Sequence, residues 1–337
     1  MIVSAVIDPS AFGPLSIVDE LAKREAIAFL QGIVQNGVVI DLPRKELLRR
    51  AMEEASKLGT GIGERIVGLL TELRNQHKKF VVCCTTDESP LAEPQNASAT
   101  CCSLAASMQV DAILTTATGR EQMEATNATA EFVLITEVSE SRYEALRRRM
   151  LRVEVPLDQL PADEVEERLG RALKHAPTLE LFDYRMVASP SRVRKFRDGI
   201  VYLIRIWERW CVVGDPSSRS VELYTVGNCH TGHGFVSCAD AESRMAGQIV
   251  TAIRAAVAAA VRYHIKDDSI KVFHARGIVA RHRAFTIDPG LDAFGANGPV
   301  RRCLFNADPA AEKYFDQCRD LPDCSLPVHD PSAEVPG

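Results

Sequence analysis

His282 stands between Arg281 and Arg283 in the stretch ARHRAFTIDPGLDAFG, residues 280–295. Alternate residues of a β-strand share a face, so the two arginines would point one way and His282 the other. Two guanidinium forks on one face suit a phosphate, which they bind through paired N–H donors. A histidine can accept a phosphoryl group as a nucleophile, but here it would face away from the cations. This strand is therefore expected to grip an anion without cleaving it. Arg185, Arg192, Lys195, Arg276, Arg301 and Arg302 would widen the grip into a basic patch. The competing reading is a row of solvated charges on a half-exposed sheet.

A second set of candidates is acidic. Asp8 follows the apolar run IVSAVI, and Asp111 opens the run VDAILTT. If both lie at the ligand-binding edge of a parallel sheet, they converge on one crevice and can hold a divalent ion, Mg2+ or Mn2+. Such an ion would neutralise phosphate charge and orient an attacking water. The alternative is that Asp8 caps the turn after DPSAF and Asp111 caps a strand start.

The chain has ten cysteines. They fall as the adjacent pairs Cys83–Cys84 and Cys101–Cys102 and as singletons, without the spacing of a secreted disulfide framework, so reduced thiols are expected. In KKFVVCCTT, cysteine reads as a small core hydrophobe. NCHTGHGFVSC gathers Cys229, His230, His233 and Cys238, but the C-x2-C half-sites of strong zinc motifs are missing and the loop is tight, which argues against zinc.

The elements that must position these residues alternate between strand and helix. β-like IVSAVID, amphipathic SIVDELAKREAIAFLQGIV, GVVID, the helical periods of RKELLRRAMEEASK and GERIVGLLTELRNQ, KFVVCCT, VDAILTT and AEFVLIT compose an α/β layer over residues 1–140. Residues 141–177 are charged and helix-prone, broken near Pro156 and Pro161, and read as a helical connector. The α/β grammar restarts at TLELFDYRMV and fills 178–324. Ser189 and Pro190 mark a helix start, and Val193, Phe196, Ile200, Leu203, Ile204 and Trp207 recur on one face. A long helix is expected through DAESRMAGQIVTAIRAAVAAAVRYH, with Met245, Ile249, Ile253, Val257 and Val261 as its stripe. Two strands, SIKVFHAR and IVARHRAFTID, should follow, and the Pro-rich residues 325–337 read as a disordered tail. The expected class is α/β: two Rossmann-like, mixed-sheet α/β domains joined by the connector.

Two resemblances rest on these residues. A strand ending in aspartate (VID), a helix carrying glutamate (RKELLRR) and the later DAILTT strand resemble the PIN-like nuclease domains over roughly residues 1–140. By that resemblance Asp8 would be the first metal ligand, Glu46 the helical one and Asp111 the third acid. PIN-like domains usually place another aspartate soon after LTT, whereas this chain reads Thr118, Gly119, Arg120; either metal binding is lost or Glu121 substitutes from the following helix. Asp183 and Tyr184 in LELFDYRM, with GLDAF at 290–294, resemble the phospholipase-D-like module found at the C-terminus of MIT-domain proteins, over roughly residues 178–306. In that family's H-D-R pattern Arg283 takes the arginine position and Arg281 the histidine position, which implies a phosphate binder lacking its nucleophile. The pairing implies a nucleic-acid-processing protein, a metal-dependent nuclease or a former one, in prokaryotic phage defence. The alternative is a non-catalytic sensor or scaffold that binds a phosphate-bearing partner: nucleic acid, nucleotide or anionic lipid.

The bulk composition is that of an ordinary globular chain: 337 residues, 46% hydrophobic, 25% charged, net charge −5. A bulk acidic balance gives no general attraction to nucleic acid or membrane, so any phosphate site must be a local patch. No run of roughly 18 apolar residues suggests a membrane span, and the N-terminus lacks a basic flank with a long apolar core. A cytoplasmic location is expected.

Overall fold

The computed structural model describes residues 3–18, 20–59, 61–75, 80–82, 95–124, 130–151, 156–231, 234–269, 271, 273–274, 276–280 and 283–324. Among them the elements run β1 (Val3–Ile7), α1 (Glu20–Asn36), β2 (Gly37–Asp41), α2 (Glu46–Ser56), α3 (Ile62–Asn75), β3 (Phe80–Val82), α4 (Gln95–Ser107), β4 (Ala112–Thr115), α5 (Ala117–Glu124) and β5 (Glu131–Leu134). Then follow α6 (Arg142–Leu151), α7 (Ala162–Leu173), β6 (Thr178–Asp183), α8 (Pro190–Trp210), β7 (Ser220–Gly227), β8 (Cys229–Thr231), β9 (Gly234–Val236), α9 (Cys238–Arg244), α10 (Thr251–Arg254) and β10 (Ala260–Asp267). The chain continues through β11 (Arg276–Ala280), β12 (Arg283–Asp288), β13 (Phe294–Gly295), β14 (Gly298–Pro299), β15 (Leu304–Ala307) and α11 (Pro309–Asp320). The class is α/β, as its alternation predicts.

The first sheet has the order β3-β2-β1-β4-β5, and every pairing in it is parallel. Its central strand β1, VSAVI, is buried at every position, the continuous apolar run expected of a parallel strand covered on both faces. The connections from β1 run outward through β2 to β3, whereas β4 and β5 lie on β1's other side. The order reverses between β1 and β4, so their carboxyl ends flank a switch point, where open α/β sheets hold ligands.

The second sheet is mixed, in the order β10-β7-β6-β11-β12-β15. β10, β7 and β6 pair in parallel, and β6, β11, β12 and β15 pair antiparallel. α8 packs against this sheet with the face its periodicity predicts: Val193, Phe196, Ile200, Leu203, Ile204 and Trp207 are all buried. Trp207 also donates its indole N–H to the Ala176 carbonyl at 2.7 Å. One buried apolar cluster runs from Val6, Val38 and Ile113 of the first sheet through Leu157, Val165 and Leu169 to Leu181, Leu223 and Ile278 of the second.

Three expected elements differ. The long helix is α9, a π-helical turn over Met245–Val250 and the short α10, which ends at Arg254; Val261 lies in β10. The alanines of AAVAAA favour helix, but β10 pairs with β7 from Ala260–Ser220 to Asp267–Gly227, and that ladder overrides local propensity. Glu208 fixes the break, accepting from the amides of Ala258 and Ala259 at 2.8 and 3.0 Å. The described residues of SIKVFHAR before Arg276 form no strand; the Phe273 amide instead donates to the Asp268 carboxylate at 3.0 Å. IVARHRAFTID is two antiparallel strands, β11 and β12, closing at the pair Ala280–Arg283. Arg281, His282, His233, Cys83, Cys84 and the tail from residue 325 lie outside the described residues.

Candidate functional site

Asp8 directly follows β1 on the switch-point edge and is buried. Its Oδ1 accepts from the Ser10 amide and hydroxyl at 3.0 and 2.9 Å, and its Oδ2 accepts from the Thr115 hydroxyl at 2.8 Å. Thr115 is the last residue of β4, so one carboxylate ties the two strand ends together. Thr116 follows, and its hydroxyl accepts from the Gly119 amide at 3.0 Å, starting α5. Gly119 must be small: a Cβ there would stand 2.3 Å from Thr115 Oγ1 and 3.1 Å from Asp8 Oδ2. The absent side chain lets the first turn of α5 close onto the floor formed by Asp8 and Thr115.

Above this floor opens a pocket of about 660 Å³, lined by Asp8, Pro9 and Ser10, by Arg49, Arg50, Glu53 and Glu54 of α2, by Ala97 and Ser98 of α4, and by Thr116, Thr118, Gly119 and Gln122. The first turns of α4 and α5 both reach its lining, bringing the partial positive charge of two helix N-termini. On the α2 wall, Glu46 accepts from Arg49 Nη2 at 2.6 Å and from Arg50 Nε at 3.0 Å, and Glu53 pairs with Arg49. The hydrogen bond from Arg49 holds the Glu46 carboxyl below its ordinary range.

Asp41, which the sequence reading passed over, holds that wall. It ends β2, is fully buried, and accepts from the amides of Leu42, Leu47 and Leu48 at 2.6, 2.9 and 3.0 Å. Burial raises its pKa to about 6, against those three amides, which lower it. Its signal was in the sequence: GVVID repeats the strand-then-aspartate form of IVSAVID.

The carboxylate triad Asp8, Glu46 and Asp111 is not assembled. Asp111 precedes β4, at the amino edge of the sheet, and accepts from the Ser4 amide and hydroxyl at 2.7 and 3.0 Å. Four strand residues, Ala112–Thr115, separate it from Asp8's edge, roughly 13 Å of chain at a strand's rise. Its other partner is Arg171 of α7, so it ties the sheet to the helix between the two sheets. Glu46 is occupied by Arg49 and Arg50, Glu121 is exposed outside the pocket lining, and among the described residues no group of three His, Cys, Asp or Glu could hold a metal ion. These donors do not fit the Mg2+ or Mn2+ site expected from the three acids.

The two-arginine clamp also changes. Arg283 is buried, donates to the Gln35 carbonyl at the end of α1, and is pulled down to about 10 by burial. The shared face required one continuous strand, and the chain reverses between Ala280 and Arg283. Asp183 is buried as well, accepting from the amides of Arg185 and Leu291 at 2.8 and 3.0 Å. It therefore joins FDY to GLDAF, the two motifs that carried the second resemblance. Burial raises its pKa to about 7. Gly290, at φ 140°, passes so close that a Cβ would stand 2.6 Å from Asp183 Oδ2. Around them, the guanidiniums of Arg185 and Arg276 each lie 5.0 Å from the Tyr184 ring centre, and Arg276 donates to the Tyr184 hydroxyl at 2.7 Å. Arg301 pairs with Asp292, Arg302 and Lys195 are exposed, and Arg192 is half-buried, so the expected basic patch is divided among different tasks.

Of the four zinc candidates, Cys229 is buried, His230 packs against Phe235 at 5.2 Å between ring centres, and Cys238 is bonded to Cys324. That disulfide corrects the expectation of reduced thiols throughout; the two residues are 86 apart in sequence and 5.9 Å apart between Cα atoms, which no local spacing rule reveals. No helix among the described residues is long and apolar enough to cross a membrane. No family model, no curated protein and no solved structure matches the chain.

Proposed function

We propose that the chain recognises a phosphate-bearing ligand, a nucleic-acid strand or a nucleotide, in the crevice at the carboxyl edge of the first sheet. The observation that carries this reading is the pocket at the β1–β4 switch point, where Arg49 and Arg50 share a lining with the first turns of α4 and α5. Arg49 pairs with Glu46 and Glu53, and Arg50 with Glu46, on the same helix; these partly exposed pairs contribute little and can be exchanged for a phosphate. Hydroxyls of Ser10, Ser98, Thr116 and Thr118 in the lining suit the remaining oxygens of a phosphate or sugar. The volume falls within the range of pockets that hold small ligands, roughly 300–1,000 Å³.

One observation favours a second reading, a metal-dependent nuclease: Asp8, the first acid of the PIN-like resemblance, lies on the floor of the same crevice. Recognition is preferred because Glu46 is not among the residues lining the crevice and Asp111 lies at the opposite edge of the sheet, paired with Arg171. A role in phage defence follows from the pairing of the two resemblances alone.

Fluorescence anisotropy with labelled single-stranded DNA and RNA, and with nucleotides as competitors, tests this in magnesium and in EDTA. The Arg49→Ala/Arg50→Ala double variant is expected to bind at least about tenfold more weakly, since each charge-assisted contact contributes on the order of 1.5–3 kcal/mol. Unchanged affinity would overturn the recognition reading. Cleavage that requires magnesium and disappears in Asp8→Asn would establish the nuclease reading instead.

A further inference from the structure

We propose that Cys238–Cys324 is a redox latch that holds residues Pro322–Cys324 as a strap along the open edge of the second sheet, and that a dithiol reductant releases it. Among the described strands β10 ends the order, with β7 as its one partner in that sheet. On its free side the Asp267 amide donates to the Pro322 carbonyl and the Cys324 amide to the Ile265 carbonyl, both at 2.8 Å, while Lys266 and Asp323 form an antiparallel bridge. Lys266 Nζ also pairs with Asp323 at 2.9 Å, but the Asp323 side chain is 63% exposed. Two backbone bonds and one water-facing ion pair are comparable with the entropy cost of ordering three residues. The covalent bond therefore decides whether the strap stays down.

The surroundings are shaped for that bond. A Cβ on Gly227, the last residue of β7, would stand 2.9 Å from Cys324 Sγ and 3.0 Å from Cys238 Sγ, so only glycine leaves room for the crossing. Cys238 is also held without the bond: its amide donates to Asn228 Oδ1 at 3.2 Å, and Asn228 Nδ2 donates to Asp267 Oδ2 at 3.0 Å. Upstream of the strap, Phe315 and Cys318 of α11 are buried in their own apolar cluster. On opening, the moving part is thus the strap, between a fixed helix and residue 324. The other described cysteines, Cys101, Cys102, Cys211, Cys229, Cys303 and Cys318, are buried, which leaves this pair as the site for exchange among the described residues. In the exchange, a dithiol's thiolate attacks one sulfur, the other cysteine leaves as thiolate, and the reagent's second thiol displaces the mixed disulfide. One protein disulfide becomes two thiols while the dithiol becomes its own disulfide.

Amide exchange of the full-length chain, followed residue by residue with and without dithiothreitol, tests the latch, with non-reducing peptide mapping to read the bond. The mapping should recover a Cys238–Cys324 cross-linked peptide. Dithiothreitol should speed exchange at Asp267 and Cys324 at least about tenfold while β1 and β4 amides keep their protection. Cys324→Ser should show the fast exchange at Asp267 with or without reductant. Alkylation of both cysteines in the unreduced chain would overturn the latch, as would protection at Asp267 that ignores the reductant. Equal acceleration in β1 would also overturn it, making the bond a staple of the whole fold.

Discussion

Asp41 and Asp183 are carboxyls kept from water, and their protons are linked to folding. Each has a folded pKa above the ordinary 3.8, about 6 for Asp41 and about 7 for Asp183, with burial as the main cause. The folded chain therefore holds protons that the unfolded chain releases. This contribution to stability is fully present below about pH 4 and is lost as pH rises through 6 for Asp41 and 7 for Asp183. Chemical denaturation at intervals from pH 4 to 8 should show this falling component, and Asp183→Asn should flatten its upper part. An unaltered pH profile in that variant would contradict the assignment. Asp8 and Asp111 show the converse lesson: both stand at strand termini, but one closes the carboxyl edge with Thr115 and the other closes the amino edge with Ser4 and Arg171. Residue type alone does not tell which edge a carboxylate occupies.

At the scale of elements, the β11–β12 hairpin turns Arg283 from a surface clamp into a buried strut against α1. Arg283→Ala should lower stability by about 2–4 kcal/mol, from a lost charge-assisted bond and a cavity, and leave nucleotide or single-strand binding unchanged. Urea unfolding beside anisotropy separates the two effects; a variant with native stability and lost binding would restore the clamp. α8 and β1 were legible in the sequence because their apolar periods coincide with burial, at Val193 through Trp207 and over Val3–Ile7. The hairpin was not, because ARHR, where β11 gives way to β12, carries no glycine, proline or asparagine to signal a turn. Nor was β10, whose alanine-rich approach favours helix until β7 offers its ladder. Asp8 was legible as a candidate, whereas the rest of the crevice depends on strand order, which brings Thr115 and Gly119 to it from more than 100 residues away.

Over the whole molecule, the two sheets share one apolar cluster; Arg171 and Lys174, in and just after α7, tie that helix to Asp111 and the Gln109 carbonyl, and Arg283 of β12 ties the second sheet to the Gln35 carbonyl of α1. Burial shared in this way predicts a single cooperative unfolding transition, with circular dichroism and tryptophan fluorescence coinciding. Trp207 and Trp210 both lie on α8, so fluorescence reports the second sheet while circular dichroism reports both. Two resolved transitions would indicate independently folding halves. The central claim is that the crevice, and not the arginine-bearing hairpin, receives the phosphate, and a hydrogen-exchange footprint with a bound single-stranded oligonucleotide tests it most directly. Protection is predicted at Ser10, Ser98, Thr118 and Gly119, with β12 unaffected. Protection confined to the β11–β12 hairpin, with the crevice unchanged, would contradict the account.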